Sequence, residues 1–146
     1  MNLDDYKKLF KGEVHLNWDR AMKEKWIIEQ EIIDTRERLG TMLTAWTVEG
    51  IIGEGGKHLT FAQVAADLGS VDRAWRLRII AFAQAFESQQ KKVIIVVPAI
   101  ALEEARFAIR DGCHRCAALM LSRVPFSVVM LAVHSKEALW STKDYV

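Results

Sequence analysis

The chain has 146 residues, with 20 Lys+Arg against 19 Asp+Glu for a formal charge of +1, and 51% of its residues are hydrophobic. That length fits one domain, and an apolar fraction this high at near-zero charge excludes a disordered chain. The longest nearly apolar run, Phe126–Val133, is far short of the ~20 residues of a membrane span, and a near-neutral chain leaves only a local patch for nucleic acid.

In chain order, an amphipathic helix is expected near Leu3–Lys11 and a longer one from Trp18 to Leu39. Asn17 stands at the N-cap of the second, Asp19 in its first turn and Gly40 just past its end. Trp18, Met22, Trp26 and Ile33 supply its apolar stripe, with Ile28 and Ile32 beside them. Thr41–Val48 reads as a strand. The run from Gly50 to His58 resembles a phosphate loop, but Ile51 and His58 stand where Gly and Ser or Thr are needed, so a plain turn is expected. His58–Val64 is a strand-to-helix corner, Val71–Glu87 a helix, and Val93–Val97 a β-branched strand limited by Pro98. Ala105–Arg110 alternates as a strand, His114–Arg123 is a short helix, and Phe126–Val133 is a last strand. Interleaved strands and helices predict an α/β or α+β unit.

The densest polar feature is the run Arg110-Asp111-Gly112-Cys113-His114-Arg115-Cys116, between a predicted strand and a predicted helix. Gly112 lets the backbone turn sharply, and the first amides of the next helix offer an anion unpaired N–H groups and the positive end of a dipole. His114 and Arg115 add side-chain donors. A solvated turn is the competing reading. Cys113 and Cys116 also have the spacing of a redox pair, whereas the remaining histidines lack zinc-ligand spacing. Arg73, Arg76 and Arg78 crowd the start of the preceding helix, where cations oppose the macrodipole. Either a polyphosphate or nucleic-acid backbone offsets them, or Asp67 and Asp72 do. The five tryptophans invite base stacking. Trp18, Trp26 and Trp75 are expected in the core, while Trp46 and Trp140 stay open.

The segment from Phe107 to Ala118 resembles the signature of the ParB/sulfiredoxin superfamily, in which a strand ends in a Gly-x-x-Arg turn before an Ala-rich helix. Sulfiredoxins read Gly-Gly-Cys-His-Arg there, and free-serine kinases have an Asp-Gly-x-His-Arg form. The neighbouring elements follow the same order over about half the chain. Asp111 departs from the paired glycines, and the preceding helix carries Arg73, Arg76 and Arg78 where sulfiredoxins have a lysine.

The resemblance implies a ParB/sulfiredoxin-like domain at 51–146, a small mixed sheet flanked by helices, with residues 1–50 as an N-terminal helical extension. It implies an ATP site with Mg²⁺ in which Gly112, Cys113, His114 and Arg115 cradle phosphates and Arg76 or Arg78 neutralises charge. Asp111 would work near the metal, and Cys113 would be the nucleophile of a sulfiredoxin-type reaction. The expected activity is an ATPase, a hydrolase, or γ-phosphoryl transfer. The alternatives are a ParB-like DNA-binding nuclease or plasmid accessory protein, meeting DNA weakly through Arg73, Arg76 and Arg78, and a non-catalytic module that meets a protein partner through its N-terminal helix. The N-terminus shows no signal-peptide pattern and two cysteines suit a reducing compartment, so a cytoplasmic location is expected.

Overall fold

A computed structural model of the chain describes residues 1–48, 57–137, 139 and 142–146. Asn2 starts α1 (Leu3–Phe10) by accepting from the Asp5 amide at 2.8 Å, with acids in the first turn and lysines in the last. Leu3, Tyr6 and Phe10 form its buried stripe. Asn17 caps α2 (Trp18–Glu24) in the same way.

The long helix expected from Trp18 to Leu39 does not form. Lys25 turns left-handed at φ 54°, and the chain leaves as strand β1 (Ile27–Ile33) before α3 (Arg36–Thr41). Spacing alone was ambiguous, because isoleucines at 28, 32 and 33 satisfy both a helical stripe and an extended strand. Pairing decides: β1 lies antiparallel to β6 (Phe126–His134) residue for residue, from Ile27 opposite His134 to Ile33 opposite Val128. Gly40 is likewise inside α3 rather than beyond a helix end. A Cβ there would stand 3.1 Å from Ala62 Cβ and 3.2 Å from Met120 Cε, so the glycine lets packed helices approach closely.

Strand β2 (Leu43–Val48) pairs antiparallel with β3 (Lys57–Thr60). Thr60 then caps α4 (Phe61–Ala66) through a capping box with Gln63. The turn expected between Gly50 and His58 falls largely outside the described residues, as does Trp140. Helix α5 (Arg73–Gln89) follows Asp72, and β4 (Val93–Leu102) crosses the centre of the sheet. Pro98 does not end β4. Its carbonyl accepts from the Arg110 amide at 2.9 Å, and the N–H that proline lacks would point to the same side. The reciprocal bond to the Arg110 carbonyl is the one proline cannot make, and β5 (Arg106–Ile109) ends there. Helix α6 (Cys113–Leu121) leads into β6.

The fold is mixed α/β, with six strands in one open sheet and six α-helices among the described residues. The strand order is β1-β6-β4-β5-β2-β3, with β4/β6 and β2/β5 parallel and the other pairs antiparallel. Alternation along the strands feeds two cores. Ile95, Val97 and Ala99 of β4 join Val128, Met130 and Ala132 of β6 beneath residues of α3 to α6. Ile100 and Leu102 join Leu131 and Val133 beneath α1, α2 and Tyr145. Residues 1–50 are therefore not a purely helical extension, since two sheet strands and the helices of one face come from them. Arg36 ties α3 to α6 on one face, its Nε donating to Leu119 O at 3.1 Å and its Nη2 to Val124 O at 2.7 Å. No helix among the described residues is long and apolar enough to cross a membrane.

Candidate anion site at the start of helix α6

Strand β5 ends at Ile109, and three residues later Gly112 takes φ +84° and opens α6. Only glycine fits comfortably. A Cβ at Gly112 would lie 3.0 Å from both Arg115 Nη2 and Val97 Cγ1, so the Arg115 guanidinium folds back over the turn. Each of α1 to α5 has a side chain capping its first turn: Asn2, Asn17, Thr35, Thr60 and Asp72. Helix α6 has no side-chain cap and no acid in its first turn. Its leading amides thus have no side-chain acceptor at the cap, and Arg115 lies beside them.

His114, next in the turn, is held by aromatic rings. Its imidazole meets Trp46 edge-on at 5.2 Å and Trp75 at 6.4 Å, and the two indoles stack at 5.6 Å. The His114 Nε2 atom is buried without a hydrogen-bond partner. Burial, reinforced by the positive charge of Arg78, lowers its pKa, and Asp111 opposes this only in part. The structure thus joins two features that lie apart in the sequence, because Arg78 of α5 acts on the second residue of α6. Of the tryptophans expected in the core, Trp26 is buried, but Trp75 is not. Trp46 is buried, whereas Trp75 is 42% exposed above it.

Asp111 gains a neighbour that sequence reasoning did not single out. A hydrogen bond with Asp111 and its like charge push the Glu13 carboxyl up, with Arg115 pulling the other way. Glu13 arrives from the loop after α1, more than ninety positions upstream in the chain, and no local pattern announces such a pairing. Arg110 was also passed over. It is half-buried near Tyr6 and Cys113, and burial lowers its pKa. The remaining arginines diverge. Arg76 Nη1 donates to Gly69 O at 3.3 Å, while Arg73 and Arg78 are exposed. No ion pair joins any of them to Asp67 or Asp72 among the described residues. Asp72 instead caps the Ala74 amide at 3.1 Å.

The two thiols are packing groups. Cys113 is buried, its sulfur accepting from Ala45 N at 3.4 Å and donating to Ile109 O at 3.5 Å. Burial pushes this thiol up to about 11 and raises Cys116 as well. Neither bonds to the other. A thiol in this state is a weak nucleophile at neutral pH, so the contribution Cys113 can make to a ligand is its backbone amide. Among the described residues no group of three or more His, Cys, Asp or Glu is arranged to hold a metal ion. Asp111 and Glu13 form a pair of carboxylates.

No protein-family model, no curated protein and no solved structure matches the chain.

Proposed function

We propose that the chain binds ATP with Mg²⁺ at Gly112–Arg115 and performs phosphate chemistry, as an ATPase or by γ-phosphoryl transfer, on a ParB/sulfiredoxin-like fold. One observation carries the reading: α6 alone among the described α-helices begins without a side-chain cap, on a left-handed glycine, with a guanidinium folded over the opening. The leading amides and Arg115 would hold phosphate oxygens. Arg78, beside His114, would offset the charge that spreads over a transferring phosphoryl group. Exposed Trp75 offers a ring face for the base. Magnesium is commonly held by one or two carboxylates together with substrate phosphates. Asp111 and Glu13 match that donor set, and the ion would supply further charge neutralisation there. Sulfinic-acid repair through Cys113 is the less favoured branch, because the thiol is buried and hydrogen-bonded.

A second reading, a ParB-like DNA-binding nuclease or plasmid accessory protein, draws on Arg73 and Arg78, which are exposed and make no ion pair among the described residues. A module acting through its N-terminal helix has less support, since the apolar stripe of α1 is already covered. The test is Mg-ATP binding and turnover by wild type and Arg115→Ala, each with and without DNA. Loss of about 100-fold or more in the variant is expected for removal of a principal charge-stabilising donor. A wild type that neither binds nor turns over ATP refutes the proposal, and stimulation by DNA would favour the second reading.

A further inference from the structure

The two edges of the sheet are unlike. One is β3, with four described residues. The other is β1, seven residues long, with neither proline nor lysine to blunt it. Exposed strand edges present unpaired backbone groups and are usually shortened, bent or charged to prevent pairing with another chain. Moreover, β1 reads Ile27-Ile28-Glu29-Gln30-Glu31-Ile32-Ile33, the same in either direction. An antiparallel partner of identical sequence, centred on Gln30, would place like against like along the whole strand.

We infer that two copies of this chain associate edge to edge through β1, about a two-fold axis at Gln30, extending one sheet across both molecules. Side chains of even number lie on the α1 face, where Ile28 of one copy meets Ile32 of the other. Ile32 is 52% exposed in the single chain. Opposite Ile32 within the chain stands Val129, and opposite Val129 stands Val96, which is also exposed. The pairing extends this apolar row across the seam to Ile28 and Val133 of the second copy. On the other face Ile27 is 58% exposed but Ile33 is fully buried within its own chain, so the pairing spans residues 28–32 of each copy.

The acids on that face are the obvious objection, because Glu29 would oppose Glu31 of the second copy. Both already have cationic or potentially cationic neighbours within the chain. Glu31 Oε2 lies 2.8 Å from Arg38 Nη2, and Glu29 Oε2 lies 2.9 Å from His134 Nε2. Arg38 Nη1 also donates to the Ile32 carbonyl at 3.4 Å. This long contact would yield to a strand. So short an edge covers less than the ~800 Å² per partner of a standard interface, so the dimer should depend on concentration in the micromolar range.

Sedimentation equilibrium of the intact chain tests the association, and a cross-link tests its register. Wild type should rise with concentration from 16.6 kDa toward twice that mass. Ile32→Lys, at an exposed position, should remain monomeric with an unchanged thermal melt. Gln30→Cys should form a covalent dimer under mild oxidation, because opposite residues across an antiparallel pair stand about 4.5–5.5 Å apart at Cα, within disulfide reach. Asp34→Cys, beyond the strand, should not. Cys113 and Cys116 are buried and do not compete. A wild type that stays monomeric throughout, or a Gln30→Cys variant that does not cross-link, overturns the inference.

Discussion

Replacing Gly112 with alanine tests the geometry on which the anion site rests. At φ +84° an L-residue pays about 1–2 kcal/mol for the left-handed backbone. The added methyl also meets two atoms at 3.0 Å. Arg115 Nη2 is the end of a flexible side chain and can swing aside. Val97 Cγ1 cannot, because Val97 is fully buried in the central strand, and overpacking of that kind adds about 1–3 kcal/mol. Gly112→Ala should therefore cost about 2–5 kcal/mol, read by urea denaturation. At this chain length that corresponds to about 10 °C in Tm. Gly12→Ala is the control, since nothing lies within 4 Å of its Cβ position; its stability should change by less than about 0.5 kcal/mol. The displaced guanidinium should also weaken any bound phosphate. A loss below about 1 kcal/mol in Gly112→Ala would refute the reasoning, because neither the backbone strain nor the contact with Val97 would then be real.

Thiol labelling separates packing from chemistry. With Cys113 held at about 11, iodoacetamide at pH 8 should label the native protein at least about 100-fold more slowly than the urea-unfolded chain, and comparable rates would restore Cys113 as a nucleophile. Stability should also fall with acid below neutrality. Burial depresses the pKa of both His58 and His114 below the ordinary 6.5, so the folded state binds fewer protons than the unfolded one. The contribution is full above that value and is lost as pH falls through the folded values. Thermal melts between pH 7 and pH 5 should show a shallower decline in the double variant His58→Gln, His114→Phe, and an unchanged slope would overturn the assignment.

The second half of the chain was legible because each signal there was local. The β-branched run at Val93, the Asp-Gly turn and the spacing of Ile79, Phe82 and Phe86 all arise within one element. The first half was misread where a distant partner decides the outcome. Residues 27–33 form a strand only because β6 lies beside them, and Gly40 is spared a side chain because Ala62 and Met120 press on it. The candidate site divides in the same way. Gly112, His114 and Arg115 could be named from their spacing. Glu13 and the pairing of Trp46 with Trp75 could not, because the loop after α1 and the strand β2 reach the turn only through the tertiary fold. Trp75 sat at core spacing on an amphipathic helix, yet that helix turns its first turns toward solvent and buries Ile79 instead.

The placement of β1 beside β6 also bears on how the protein is made. At synthesis rates of about 5–20 residues per second, the roughly one hundred residues separating the two strands take about 5–20 s to emerge. For that interval a self-matching, isoleucine-rich segment has no strand of its own chain to join. Neighbouring nascent chains on one message present the same segment side by side, the arrangement most prone to mispairing between copies. Slow translation through the middle of the message would lengthen this exposure. The yield of soluble protein should therefore depend on how quickly the ribosome reaches Phe126 as much as on the stability of the finished sheet.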